Sequence, residues 1–215
     1  MRRKMNQVNV EAYSEKIVDS QPTERVTMLI DAVRANMLVK NEKATYPASV
    51  LNEQTGKLPV IVRKAMAERA KLSSAPAGIW PGQIFAGCFT LREEKLVNTY
   101  ALPEFAFPEE QEEGEKYGFG IYSMFGHISP DYKRLLKLGT DGIRRMALRA
   151  LGESEDEKAQ AFLEAVLISL EGLENFASSH VQMLLCKSRE ETDEKRRAEL
   201  VRAANALSRV PRYPA

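Results

Sequence analysis

Residues 162–187, "FLEAVLISLEGLENFASSHVQMLLCK", carry the pattern that decides the fold. Their apolar side chains recur at steps of three and four residues, at Phe162, Val166, Leu170, Leu173, Phe176, Ala177 and Leu184. That spacing predicts one helix with a buried stripe along one face. Ser154 and Glu157 follow a break at Gly152 with the spacing of a capping box, so the helix is predicted to continue to about Lys187.

The segments on either side of this helix predict two helical neighbours. The earlier one is predicted to begin at Ser129 as N-cap, followed by Pro130 and Asp131. Its apolar face comprises Tyr132, Leu135, Leu136, Gly139, Ile143 and Met146. The later helix is capped by Thr192 or Asp193 and ends before the prolines of "RVPRYPA". Residues 129–208 are therefore predicted to form three antiparallel helices.

The first 128 residues divide into an opening helical part and an irregular part. Apolar spacing predicts helices over residues 23–40 and 60–73. Residues 74–128 instead show short apolar clusters, rich in aromatics, between prolines and glycines. Overlapping the start of this part, residues 72–91 are uncharged but hold too many prolines and glycines for a membrane helix, which favours a buried loop with a short strand. The acidic stretch "EEQEEGEKYG" is predicted to be a solvated helical turn or linker.

Together these patterns predict a mainly α fold. It has five helices, an irregular middle section and one or two short strands, arranged as a single portion over residues 1–215. Lys and Arg number 31 against 30 Asp and Glu, so no strong field attracts nucleic acid or an anionic membrane. The first residues lack the apolar run of a signal peptide, which predicts a cytoplasmic location.

Few residues have the spacing of a known reactive site. Cys88 and Cys186 belong to no C-x-x-C pair, so neither a disulfide framework nor a metal site is expected. His180 follows Phe176 by one helical turn, which favours a hydrogen-bonded packing histidine. His127 lies between a glycine and a predicted helix start. That place suits a ligand-binding residue, but equally a histidine that closes its own loop.

Four blocks, in order, resemble the glycyl radical enzymes, the family of pyruvate formate-lyase. They are "ERVTMLIDAVRANML" (24–38), "PVIVRKAMAERAKLSSAPAGIWPGQIFAGC" (59–88), "GHISPDYKRLLKLGTDGIRRMALRAL" (126–151) and residues 162–215. The resemblance implies the N-terminal portion of a pyruvate formate-lyase-type domain, an incomplete part of the family's α/β barrel. It also implies lyase, dehydratase or decarboxylase chemistry of the formate C-acetyltransferase kind, in anaerobic metabolism. In dehydratase-like members the Gly-His step lies near the substrate, so the resemblance implies a substrate-binding role for His127.

The same resemblance implies that the radical chemistry needs residues other than these. In the family a glycine radical activates a cysteine, and neither Cys88 nor Cys186 lies in the matching block. We therefore expect a truncated product, an expressed fragment or one subunit of a split enzyme, with no assigned catalytic residue, no directly bound cofactor and no activity alone. The glycyl radical is expected in a complementary chain, generated by a radical-SAM activating enzyme, and a homo-oligomer is compatible with the sequence. The alternative is a non-catalytic helical module that binds another protein through its aromatic-rich middle section.

Overall fold

The computed structural model describes residues 21–34, 47–87, 102–117 and 130–214. The chain divides into two compact units, Met1–Leu38 and Val39–Ala215. In the first unit, helix α1 spans Glu24–Arg34, and Thr23 Oγ1 accepts a hydrogen bond from the Val26 amide (3.3 Å) at its start. This confirms a helix within the predicted range 23–40; residues 35–40 lie outside the described ones. The prediction of a single portion over residues 1–215 stays a prediction.

The second unit is built from five α-helices in its described ranges. They are α2 (Val60–Ser74), α3 (Pro108–Lys116), α4 (Tyr132–Glu153), α5 (Glu157–Glu190) and α6 (Glu194–Arg209), with a short 3-10 helix at Thr55–Lys57 before α2. The mainly α prediction is confirmed. The described residues therefore form six α-helices, so the predicted count of five is wrong.

The additional helix is α3, in the acidic stretch that was predicted as a turn or linker. Pro108 stands at its first position, where the missing amide hydrogen is not needed. The Glu110 carboxylate accepts a hydrogen bond from the Phe107 amide (2.8 Å), which stabilises the start of the helix. None of the residues of α3 is buried, so the expectation of a solvated segment holds although its length was underestimated.

The predicted short strands do not occur among the residues that the structure describes. The sole pairing there is an isolated parallel bridge between Ser49 and Glu104. Residues 75–87 form a loop, whose backbone carbonyls are bound by cations on the neighbouring helices. Lys187 Nζ donates to the Ile79 carbonyl (3.2 Å), and Arg196 donates to those of Trp80 (3.2 Å) and Gln83 (2.8 Å). These side chains satisfy three carbonyls of the loop without a strand partner.

Helix α5 is the centre of the second unit, and α2, α4 and α6 each pack against it. Its buried stripe is composed of smaller residues than predicted: Ala161, Ala165, Gly172, Phe176, Ala177, His180, Leu184 and Ser188. Gly172 lets α2 approach closely, since a Cβ there would lie 2.8 Å from the Arg69 Cα. Phe162, predicted to be buried, is 53% exposed because it lies beside this stripe rather than on it.

Aspartates cap the three C-terminal helices. Asp131, Asp156 and Asp193 each accept a hydrogen bond of 3.0 Å from a backbone amide in the first turn that follows. The prediction of Asp193 is confirmed. Ser154 was the wrong choice for α5, because Asp156 stands directly before its first residue. Asp131 likewise caps α4, so the helix begins later than the predicted Ser129.

Helix α4 is interrupted at Gly139, which the sequence pattern had placed within one continuous face. Gly139 has φ 63° and ψ 177°, a conformation that strongly favours glycine. The amides of Thr140 and Asp141 donate to the carbonyls of Pro211 (2.8 Å) and Arg212 (3.1 Å) instead of to their own helix. The C-terminal turn therefore caps the second leg of α4. The predicted apolar face is largely open, with Tyr132 62% and Leu136 59% exposed.

Candidate functional site

The residue predicted to bind substrate, His127, lies outside the described residues, as does Cys88. Its assignment therefore stays a prediction. Cys186 lies exposed near the end of α5, where its Sγ is 3.7 Å from Glu190 Oε1. Within the described ranges no group of three or more His, Cys, Asp or Glu side chains is arranged to hold a metal ion. Nor is any helix of those ranges long and apolar enough to cross a bilayer.

His180 is a packing residue, as the sequence predicted. Its side chain is fully buried on α5, and Nδ1 lies 2.9 Å from the Phe176 carbonyl one turn earlier. The imidazole also packs against the Phe176 ring, with centroids 4.4 Å apart. Its Nε2 has no hydrogen-bond partner among the residues that the structure describes.

A polar junction that the sequence did not predict joins α4, α5 and the C-terminal turn. Glu174 on α5 accepts hydrogen bonds at Oε1 from Thr140 Oγ1 (2.7 Å) and Arg144 Nη2 (2.9 Å). Its Oε2 accepts a third bond, of 3.0 Å, from Arg212 Nη2. The Glu174 side chain is only 10% exposed, so these donors replace most of its hydration.

The donors around Glu174 keep its carboxyl ionised. Burial by itself would raise the pKa of this carboxyl. The hydrogen bonds from Thr140, Arg144 and Arg212 outweigh burial and hold the pKa below its ordinary value. The Glu174 hydrogen bond correspondingly raises the pKa of the Arg212 guanidinium. A carboxylate with its lone pairs engaged in this way is a poor proton donor or acceptor, so the junction is a structural and electrostatic centre.

A pocket of about 260 Å³ opens beside this junction, between α5 and the end of α6. Its apolar lining consists of Ala177, Val181, Leu207, Val210 and Pro211. Its polar lining consists of Glu174, Ser178, Gln182, Ser208 and Arg212. The one sequence signal that pointed here was Glu174 itself, a charged residue directly after Leu173 in the predicted buried stripe. Its partners could not be found by periodicity, because they come from other parts of the chain.

Comparison with known proteins agrees with the sequence motifs over part of the chain. Residues 111–215 match the family model described as pyruvate formate lyase-like. Isethionate sulfite-lyase of Desulfovibrio desulfuricans is 33% identical over 91 residues, which make up 40% of this chain and 11% of that protein. The match therefore spans a small fraction of the relative's length.

Solved structures show the same fold over most of the chain. A structure concerned with 1,2-propanediol dehydration in Roseburia inulinivorans has a TM-score of 0.65 at 20% identity, covering 91% of this chain and 31% of that one. The B12-independent glycerol dehydratase from Clostridium butyricum, in its glycerol-bound form, has a TM-score of 0.65 at 22% identity, covering 91% and 32%. A glycyl radical enzyme from Archaeoglobus fulgidus has a TM-score of 0.56 at 18% identity, covering 76% and 28%.

Proposed function

From the match of residues 111–215 to the pyruvate formate lyase-like family, we propose that this chain forms a helical part of a glycyl radical enzyme. The reaction class is a radical lyase, dehydratase or decarboxylase reaction on a small substrate. The match to the family model carries the proposal, and the similarity to isethionate sulfite-lyase supports it. The fold shared with the solved structures supports the same assignment.

The proposal assigns a structural role to these residues and the radical chemistry to residues outside them. The 215 residues provide the packed helices α2 and α4–α6, whereas the radical glycine and the reactive cysteine lie outside them. Cys186 is exposed on α5 and has no place in radical transfer. By themselves these residues form no radical and turn over no substrate. In the cytoplasm they would act with a polypeptide segment that carries the glycine and cysteine, together with a radical-SAM activating enzyme.

Reconstitution under anaerobic conditions tests this division. The 215 residues alone, incubated with an activating enzyme, should give no glycyl radical signal in electron paramagnetic resonance. They should also not convert glycerol, 1,2-propanediol or isethionate. Addition of the segment with the radical glycine, on the same or a complementary chain, should produce both the signal and turnover of a substrate. Turnover by the 215 residues alone would contradict the proposal.

His127 is the residue of this chain that we propose to contact substrate. In the reconstituted enzyme, His127→Ala should raise KM or lower kcat by about tenfold or more, since a lost polar contact to substrate leaves its partner unpaired. The radical signal should remain, because His127 does not carry the unpaired electron. Tyr117→Phe, at an exposed site before the same segment, is the control and should leave both constants unchanged. If kcat and KM of the His127→Ala enzyme equal those of the unsubstituted enzyme, His127 does not contact the substrate.

The second candidate is a non-catalytic helical module that binds another protein. It is favoured by two exposed apolar side chains in the loop of residues 75–87, since Phe85 is 83% and Ile84 51% exposed although cations bind the preceding carbonyls. Under this alternative, Phe85→Ser would abolish partner binding, and no radical would form with any complementary segment. Formation of a radical in the reconstituted complex would decide against the module.

A further inference from the structure

The pocket beside Glu174 combines an open cation with an apolar wall. Arg212 uses one nitrogen, Nη2, to bind Glu174, and its side chain remains 55% exposed at the pocket. A guanidinium has five N–H donors in a fixed plane, so donors remain for a second acceptor. Ala177, Val181 and Leu207 line the same pocket with apolar side chains. Such a combination is typical of sites for small molecules with one charged end.

The charges around the pocket favour an anion. Arg144 and Arg212 both bind Glu174, and Arg145 pairs with Asp141 one turn along α4. The Arg145 and Asp141 charges cancel each other, and two guanidinium groups share the single carboxylate of Glu174, which leaves one positive charge at the junction.

The two serine hydroxyl groups of the pocket can accept a hydrogen bond from a ligand but have no hydrogen left to donate to it. Ser178 Oγ donates to the Glu174 carbonyl (2.8 Å), and Ser208 Oγ donates to the Asn205 carbonyl (2.8 Å). Their hydrogens are therefore used, and their lone pairs are available. The Gln182 amide at the same wall offers both a donor and an acceptor. A hydroxyl group on the ligand would find an acceptor here, in addition to the carboxylate contact with Arg212 that a simple fatty acid already makes.

We propose that this pocket binds a small carboxylate anion, with its carboxylate on the free donors of Arg212 and its short apolar body against Val181 and Leu207. The volume of about 260 Å³ accommodates a small ligand. At about 30 Å³ for each non-hydrogen atom, as for liquid water, it holds on the order of eight such atoms. The site is distinct from His127 and does not depend on radical chemistry.

Titration of the purified protein with matched ligands tests the proposal. Butyrate and its uncharged isostere butyramide are added separately, and binding is measured by isothermal titration calorimetry and by amide chemical shifts in NMR. Butyrate should bind saturably, with a dissociation constant on the order of millimolar for so small a ligand. It should shift the amides of Ser178, Gln182 and Ser208. Butyramide should bind at least about tenfold more weakly, because it lacks the charge that Arg212 recognises.

Three variants locate the binding. Arg212→Gln should weaken butyrate about tenfold or more, and Ser178→Leu should abolish binding by filling the pocket while Arg212 and Glu174 remain. Arg202→Gln, an exposed charge removal on α6, is the matched control and should change the affinity by less than about twofold. Circular dichroism establishes that each variant is folded.

Equal affinity for butyrate and butyramide would overturn the recognition of charge, and full binding by a folded Ser178→Leu protein would overturn the site. No saturable binding of butyrate would overturn the proposal as a whole. None of these results affects the proposed radical function, because the titration needs no activating enzyme and no turnover.

Discussion

Gly139 is a residue of the described chain with little freedom to be replaced. A Cβ at this position would contact the Arg212 carbonyl and lie 2.8 Å from the Tyr213 carbonyl carbon, in a backbone conformation with positive φ. Both the clash and the conformation oppose any side chain. We expect Gly139→Ala to lower the free energy of unfolding by about 2 kcal/mol or more, measured by urea denaturation.

Gly152, in the last turn of the same helix, is the matched control. A Cβ there meets no atom within 4 Å. Because alanine is a better helix former than glycine, Gly152→Ala should leave the free energy of unfolding unchanged or raise it by up to about 1 kcal/mol. Equal losses for both variants would contradict a special role for Gly139.

The ionised state of Glu174 predicts a dependence of stability on pH. Its folded pKa is lowered, so the carboxylate contributes stability above the unfolded value near 4.5, and that contribution is lost as the pH falls through the folded pKa. Glu174→Gln should lower the free energy of unfolding by about 2 kcal/mol at pH 7. The difference from the wild type should shrink as the pH falls below 4.5, in urea titrations at several pH values. A difference that is constant with pH would show that the charge of Glu174 has no part in it.

Single residues show where sequence reasoning reaches its limit. Asp193 was among the predicted caps because a good capping residue stands directly before a charged helical run. At α4 and α5, a serine and an aspartate two positions apart compete for the N-cap, and both have capping chemistry. The choice of Asp131 and Asp156 depends on where the first turn packs, which the local pattern does not contain.

At the scale of elements, Arg63 connects α2 to α3 and to the segment between them. Its side chain is 3% exposed and donates to the carbonyls of Leu58 (3.0 Å) and Phe105 (2.7 Å) and to both carboxylate oxygens of Glu110. The hydrogen bond from Arg63 lowers the pKa of the Glu110 carboxyl against the effect of burial. The guanidinium also lies over the Phe107 ring, 5.0 Å from its centroid.

Replacement of Arg63 should therefore loosen α3. Arg63→Met should lower the free energy of unfolding by about 3 kcal/mol, because three acceptors lose a buried cationic donor. Arg63→Lys should recover less than half of this loss, since an ammonium group cannot reproduce the planar arrangement of donors. The control Lys64→Met, at the next position of α2, should change the value by about 0.5 kcal/mol or less in the same chemical denaturation. Full recovery by lysine would show that charge alone matters.

The helices themselves were largely predictable, whereas their packing was not. Apolar spacing placed α2 within a residue of its observed ends because Pro59 and Pro76 bound it. The same reasoning chose large residues for the buried face of α5. Helix contacts in this structure instead require small residues such as Gly172. The absence of a side chain there lets the α2 backbone pack close to α5. The apolar spacing of one helix does not show which helix packs against it.

At the scale of the whole molecule, α5 should be the most stable element of the second unit. It packs against α2, α4 and α6, whereas α3 has no buried residue. Regions with few buried contacts open at low free energy. In hydrogen exchange followed by mass spectrometry, peptides from residues 161–188 should exchange on the order of a hundredfold more slowly than those from α3. Similar rates for the two would contradict the central role of α5.

The candidate sites differ in how far the sequence could predict them. His127 was identified by its local setting together with a family resemblance, which needs no knowledge of packing. The Glu174 junction brings together Thr140, Arg144 and Arg212 from parts of the chain with no common motif. Hydrogen bonds of this kind follow from the final arrangement of helices, so the pocket beside them could be found only in three dimensions.

The capping of α4 by the C-terminal turn also has a consequence for biosynthesis. During translation, residues 132–153 leave the ribosome before Pro211 and Arg212. The carbonyls of these two later residues accept the hydrogen bonds of the Thr140 and Asp141 amides. These two amides of the nascent helix therefore lack their acceptors until the later residues have been translated. We therefore expect the two segments of α4 on either side of Gly139 to become fixed relative to one another only after residues up to Arg212 have been translated.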